Sequence, residues 1–125
     1  MAPIPRAMRA RVYERDEGRC QRCARHCLNG PHSIHHRRPR GMGGGETANT
    51  LPNLVLLCGD GVRGCHGYVE SHRTEAYAER WLVHRWDDPA VTPVLRFGRT
   101  WSLPGEGWTP ADPPEDATPE TGHLR

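Results

Sequence analysis

The stretch NLVLLCGDGVRGCH, residues 53–66, carries a strand signal, a turn signal and the start of a helix in close succession. The apolar run 54–57, which ends before Gly59, predicts a short buried strand. The glycines of GDGVRG allow the chain to fold back tightly after that strand. A single helix is expected from about His66 to Arg80. The stretch therefore predicts a strand, a tight turn and a helix, with Cys58 and Cys65 on either side of the turn.

A second cysteine pair lies further towards the N-terminus, where Cys20 and Cys23 form a C-x2-C motif. Two such pairs suit one tetrahedral zinc ion, which would contribute on the order of 10 kcal/mol to folding. A redox role for the first pair, or a buried strand position for Cys58, is the alternative. The substitute ligands, should one of the four be wrong, are His26, Cys27 and His32. We predict structural zinc at Cys20, Cys23, Cys58 and Cys65.

Two adjacent histidines stand in SIHHRRPRGMGGG, residues 33–45. Neighbouring residues of an extended segment point to opposite sides, so His35 and His36 can do different work. One imidazole can bind a metal ion, and the other, with an ordinary pKa near 6.5, can take a proton from water. The arginines and glycines that follow predict an irregular loop over residues 37–50.

The remaining segments predict a small α+β chain. Pro5 can open a helix that stops near Gly18, residues 31–36 can form a strand, and residues 91–103 can form one or two more. The tail 110–125 is rich in Pro, Thr and acidic residues, which predicts disorder. We expect one domain over residues 1–109, with a core at 11–85 and an extension at 86–109.

Amino-acid composition limits the classes of binding partner and the cellular location that we expect. All 17 basic residues are arginine, which indicates a GC-rich coding genome. Residues 1–45 hold ten arginines and three acidic residues, whereas residues 86–125 hold three arginines and seven acidic residues. A basic front half fits a polyanion partner, with an ordinary solvated surface as the alternative. No membrane span and no secretory signal are predicted, so we expect a cytoplasmic location.

The combination of C-x2-C, HH, NL-x-x-LC and CH between Arg11 and His72 resembles the HNH endonuclease family, most of all small phage or prophage members from GC-rich actinobacteria. The resemblance implies a ββα-metal (HNH) core with a four-cysteine structural zinc site. It implies that His35 and His66 bind a catalytic divalent metal, Mg²⁺ or Mn²⁺. It further implies that His36 is the general base and that Asn53 braces the loop carrying it, with Asn49 as a competitor for that position.

Two further predictions concern charged side chains near these histidines. Glu70 lies four residues after His66 on the same helix face, so it is a possible third metal ligand or an ordinary exposed glutamate. The three arginines after the histidine pair are expected to contact DNA phosphates, with a solvated loop as the alternative. These residues are Arg37, Arg38 and Arg40. Tryptophans 81, 86, 101 and 108 are expected in the core or a lid rather than as stacking platforms.

The function implied by the resemblance is metal-dependent hydrolysis of DNA phosphodiester bonds, leaving 5′-phosphate products with little sequence preference. Family members from phages also suggest action beside the terminase large subunit in the cytoplasm of a bacterial host. A non-cleaving zinc ribbon that binds DNA or a terminase subunit is the main alternative. A homing-type nuclease is a third reading, although this chain has little room for the recognition segments that such proteins carry.

Overall fold

A computed structural model describes residues 3–38 and 48–116 of the chain. The described part is a small α+β structure, as the sequence predicted, and it contains three α-helices and two small antiparallel sheets. The elements, in chain order, are α1 (Arg6–Arg15), β1 (His32–His36), β2 (Leu54–Cys58), α2 (Gly64–Ser71), α3 (Arg73–Glu79), β3 (Val94–Arg96), β4 (Thr100–Pro104) and β5 (Trp108–Pro110).

The centre of the molecule is the hairpin β1–β2 followed by α2, which together make a ββα unit. The strands pair antiparallel, with His35 opposite Val55 and His36 opposite Leu54. Residues 54–57 of β2 are fully buried, because α1 and α2 both pack against this strand. A continuous apolar run is the pattern expected of a strand covered on both faces. This unit brings the histidine pair of β1 against the start of α2.

The predicted single helix over 66–80 is wrong, because the chain breaks at His72 between α2 and α3. His72 has φ −118° and ψ 65°, outside the helical region. The hydroxyl of Ser71 donates to the carbonyl of Gly67 at 2.9 Å, and the His72 ring stacks on Tyr68 with centroids 4.1 Å apart. Side chains that bond nearby backbone compete with helix continuation.

No helix within residues 3–38 and 48–116 has the length and apolar character needed to cross a bilayer.

The C-terminal sheet β3–β4–β5 packs onto the ββα unit through buried polar contacts. Asp16, 1% exposed, accepts hydrogen bonds from the backbone N–H of Leu56 and the indole N–H of Trp108, both at 2.9 Å. The side chain of Arg15 also contacts Asp16 at 2.7 Å. One buried carboxylate thus joins α1, β2 and β5, and its hydrogen bonds offset the cost of burying its charge.

Regular structure extends past the predicted boundary at residue 109. Strand β5 was not predicted and includes Pro110, and the backbone N–H of Ala111 donates to the carbonyl of Trp101 at 2.9 Å. Asp116 forms an ion pair with Arg80. Residues 110–116, which were expected to belong to a disordered tail, therefore make defined contacts with the rest of the structure, and residues 117–125 lie outside the described residues.

Candidate functional site

The four predicted zinc cysteines come together from two turns. The sulfur atoms of Cys20, Cys23, Cys58 and Cys65 all lie within 4.8 Å of one another. Cys20 and Cys65 are buried, whereas Cys23 is exposed at the edge of the cluster. The predicted clustering is confirmed, and these four residues could hold a metal ion.

The glycine-rich turn brings the second cysteine pair together. Gly59 and Gly64 have φ of +87° and +68°, a region that favours glycine. A Cβ on Gly59 would meet the carbonyl oxygen of Arg63 at 2.0 Å, so no other residue fits without a shift. The carboxylate of Asp60 accepts from the backbone N–H groups of Val62 and Arg63 at 2.8 and 2.9 Å. The C-x6-C spacing can therefore close around one ion although it is wider than usual.

The chemistry of this donor set fits a structural metal. The backbone N–H of Cys65 donates to the sulfur of Cys58 at 3.4 Å, and the guanidinium of Arg22 lies 3.3 Å from the sulfur of Cys65. Such donors favour thiolates over thiols. The neighbouring Cys65 thiol and burial raise the pKa of Cys20 above its ordinary value, so a cation is needed to hold it ionised. A closed set of four sulfurs is typical of structural zinc.

A second group of side chains that could hold a metal ion forms where β1 meets α2. One ligand atom each of His35, His66 and Glu70 lies within 4.8 Å of the others. The Glu70 carboxylate is 3.6 Å from Nε2 of His66 and 4.0 Å from Nδ1 of His35. The two imidazole centroids are 5.3 Å apart. Two imidazoles and one carboxylate are an acceptable partial shell for a divalent ion, with positions left for water or substrate.

The orientation of His35 suits a metal ligand. Its Nε2 lies 2.8 Å from the carbonyl oxygen of Trp81, so this nitrogen is the donor and Nδ1, which faces Glu70, keeps its lone pair. Burial lowers the pKa of His35 to about 3, so the ring is neutral at physiological pH. Burial also lowers the pKa of His66, although Glu70 opposes that change. Nδ1 of His66 is buried without a hydrogen-bond partner among the described residues.

His36 has different partners from His35, as expected for neighbours on a strand. Its Nε2 lies 2.8 Å from Oδ1 of Asn49. Both histidines nevertheless border one cleft of about 350 Å³, together with Ile34, His66, Glu70, Arg73 and Leu82. The His36 imidazole and a group of side chains that could hold a metal ion thus share one solvent-accessible space.

Asn53 acts on the backbone after the histidine pair. Its Oδ1 accepts from the N–H of Arg38 at 2.7 Å, and its amide donates to the carbonyl of Ala48 at 2.9 Å. Its own carbonyl accepts from the N–H of Arg37 at 2.8 Å. These contacts connect the chain on both sides of the segment 39–47, which lies outside the described residues. The two asparagines therefore have different partners, because the Asn49 side chain contacts the His36 ring whereas the Asn53 side chain bonds to the backbone.

The predicted phosphate contact of Arg37 is wrong, because its side chain is 0% exposed. The guanidinium donates to four backbone carbonyls, those of Arg80, Pro52, Pro89 and Thr92, at 3.1, 3.0, 3.2 and 2.7 Å. Burial lowers the pKa of Arg37 to about 9, so it stays charged at neutral pH. Arg38 is half-buried, and its contact with DNA phosphate stays a prediction. Arg40 lies outside the described residues.

Several contacts at the two clusters were not predicted. Asn49 was expected as an alternative to Asn53 and not as a partner of the His36 ring. The carbonyl of Trp81 orients His35, but every residue has a backbone carbonyl, so this contact could not be predicted from residue types. Arg22 could have been noticed, because an arginine between the cysteines of a C-x2-C motif lies beside the sulfur cluster.

The comparisons with known proteins agree with this geometry. The family model described as HNH endonuclease matches residues 20–67. That range begins at the first cysteine of the sulfur cluster and ends just after His66, so it covers the ββα unit up to the first turns of α2. This part of the chain is similar to the HNH endonuclease family. Searches of curated proteins and of solved structures found no match to the chain.

Proposed function

We propose that the protein is a metal-dependent endonuclease that hydrolyses DNA phosphodiester bonds and leaves 5′-phosphate ends. An HNH domain implies a nuclease-type function with DNA as substrate. The observation that carries the finer proposal is that the group His35, His66 and Glu70 shares a cleft with His36. Phosphodiester hydrolysis needs charge neutralisation at the phosphate and a base for water in one place.

Each side chain of the cleft has a role in this proposal. His35, His66 and Glu70 would hold a divalent ion such as Mg²⁺ or Mn²⁺, which when bound supplies Lewis-acid stabilisation of the phosphate and the leaving oxygen. His36 takes a proton from the attacking water. Asn49 holds the His36 ring at Nε2, and Asn53 holds the backbone that follows it. Arg38 and Arg40 contact phosphates without reading bases.

The four cysteines have a separate role in the proposal, which is to bind structural Zn²⁺. Their cluster joins the turn after α1 to the end of β2 and the start of α2, so a bound ion would fix the base of the hairpin that carries the histidines. Action beside a phage terminase large subunit is the finest part of the proposal, and it rests on the resemblance alone.

The proposal is tested by cleavage of supercoiled plasmid. Wild-type protein with Mg²⁺ or Mn²⁺ is expected to convert the plasmid to open circles or linear DNA. His36→Ala should slow cleavage by about 10²–10⁴-fold, the usual contribution of a general base. DNA binding and the far-UV circular dichroism spectrum should not change. His26→Ala, at an exposed histidine outside the cleft, serves as the control. Plasmid left intact by the wild type across several metals would instead support a non-cleaving binding module.

Glu70 can be tested as a ligand without measuring cleavage. Glu70→Gln keeps the shape of the side chain but removes the charge, so Mn²⁺ affinity should fall by at least about tenfold. Free Mn²⁺ is measured by electron paramagnetic resonance during titration. Glu75→Gln, at an exposed acidic residue in the first turn of α3, should bind Mn²⁺ like the wild type. Equal Mn²⁺ affinity of the two variants would remove Glu70 from the ligand set.

A further inference from the structure

Three aromatic rings form a stacked column beside the candidate catalytic cleft. The ring centroids of Tyr77 and His84 are 4.5 Å apart with an interplanar angle of 15°, and those of His84 and Trp86 are 4.6 Å apart at 9°. Tyr77 lies at the inner end, where the guanidinium of Arg73 is 5.9 Å from its centroid. Trp86 lies at the outer end and is 74% exposed. An indole this exposed, at the end of a stack, is a large flat apolar surface offered to solvent.

The turn that carries Trp86 is held in place. The carboxylate of Asp87 accepts from the backbone N–H of His84 at 3.0 Å, and the backbone N–H of Asp87 donates to the carbonyl of His84 at 2.9 Å. These bonds close a turn around residue 86. The exposure of Trp86 is therefore built into the local structure, and a ring that is already oriented loses little conformational entropy on binding.

The column is connected to the strand segment that carries the candidate catalytic residues. The backbone N–H of Val83 donates to the carbonyl of Arg37 at 3.0 Å, and the guanidinium of Arg38 contacts the carbonyl of Asp87 at 3.4 Å. Arg73 borders the cleft of His35 and also faces Tyr77. Leu82 borders both that cleft and the cavity of about 650 Å³ beside the column. A polymer bound in the cleft would reach the column within a few of its own monomer units.

Arginine side chains lie beside the column. Arg85 is exposed directly before Trp86. Arg38 contacts the carbonyl of Asp87 in the turn that carries Trp86, and Arg73, which pairs with Glu70 at 3.3 Å, faces the Tyr77 ring. Asp116 is paired with Arg80, whereas Asp87 and Asp88 bond to backbone N–H groups and keep their charge. Cations beside an exposed aromatic face are the combination that binds single-stranded nucleic acid, because every base can stack and every linkage carries a charge.

We propose that Trp86 stacks on an unpaired nucleobase of the DNA strand whose backbone enters the cleft of His35 and His66. The substrate class is therefore DNA that is single-stranded or locally opened next to the cleaved bond. This inference rests on the proposed nuclease function for its position, but stacking itself requires no cleavage. It predicts that the protein distinguishes unpaired from fully paired DNA through one aromatic residue outside the HNH match at residues 20–67.

The test is fluorescence anisotropy with labelled DNA and no added divalent metal, on the His36→Ala background so that no strand is cut. The probes are a single-stranded thymidine oligonucleotide, an abasic strand of equal length and a blunt duplex. Trp86→Ala should weaken binding of the thymidine strand by about tenfold, the size expected for one stacked base. Binding of the duplex and of the abasic strand should change less than about twofold, because neither offers a base to stack.

Two further variants separate stacking from other effects. Trp86→Phe keeps an aromatic face and should retain most of the affinity for the thymidine strand. Val91→Ala, 70% exposed beside the same cavity, should bind all three probes like the parent protein. A Trp86→Ala variant that binds the thymidine strand like its parent, or that loses affinity for all probes equally, would overturn the proposal. Plasmid cleavage is measured in a separate assay. The stacking proposal can therefore be contradicted while the nuclease proposal is supported, and the nuclease proposal can be contradicted while stacking is supported.

Discussion

Cys20→Ser is expected to leave most of the protein unfolded. A structural zinc site contributes on the order of 10 kcal/mol to folding, whereas domains usually have a net stability of about 5–15 kcal/mol. Loss of even half of the zinc contribution would bring a chain with this small a core close to zero net stability. Cys20 is also 0% exposed, so the serine hydroxyl would be buried where the sulfur was. The measurements are zinc content by native mass spectrometry and thermal unfolding followed by circular dichroism.

The fifth cysteine provides the matched control. Cys27 is 6% exposed and so is nearly as buried as Cys20, but it is outside the group of four sulfurs. Burial raises the pKa of Cys27 to about 11, so it is a neutral thiol at physiological pH. Cys27→Ser should therefore cost only about 1 kcal/mol and keep one zinc ion per chain. A Cys20→Ser protein that unfolds cooperatively at the temperature of Cys27→Ser would contradict structural zinc.

Arg37→Met is expected to lower the free energy of unfolding on the order of 4 kcal/mol. The substitution removes the donor from four carbonyls, one of them in a buried bond and three in part-buried bonds, and each unsatisfied buried group costs about 1–3 kcal/mol. Methionine relieves the desolvation cost of the guanidinium, which offsets part of that loss. The four carbonyls belong to segments 15 to 55 residues away along the chain, so the loss would loosen the contact between the ββα unit and residues 80–92. Urea denaturation measures the change.

Arg38→Met is the control for this effect, because Arg38 is the next residue and is only half-buried. Among the residues that the structure describes, its guanidinium makes one long contact, to the carbonyl of Asp87 at 3.4 Å. We expect a change below about 1 kcal/mol. Arg37→Lys should lie between the two, since an ammonium keeps the charge but cannot reach four carbonyls from one planar fork. Equal urea midpoints for Arg37→Met and Arg38→Met would show that the buried guanidinium adds nothing to stability.

Local patterns carried much of the fold prediction. The apolar run 54–57, the turn glycines and the paired cysteines are short-range signals, so β2, the turn and the sulfur cluster could be predicted from neighbours in sequence. The prediction that His35 and His36 have different partners was correct for the same reason, because neighbouring side chains of a strand point to opposite faces. The break at His72 was missed because the helical pattern continues through it, and a side-chain stack and a serine back-bond decide the local conformation.

The sequence by itself determined which residues could bind metal and where the hairpin and its following helix lie, because ligand chemistry and short-range periodicity are written in residue types and spacings. Tertiary structure alone decided that Arg37 is buried, that Asn49 holds the His36 ring, and that Trp86 ends an exposed aromatic column. Each of these outcomes depends on which distant segments pack together. In a basic stretch such as residues 37–40, arginines look alike until packing places one guanidinium among carbonyls and leaves its neighbour partly in solvent.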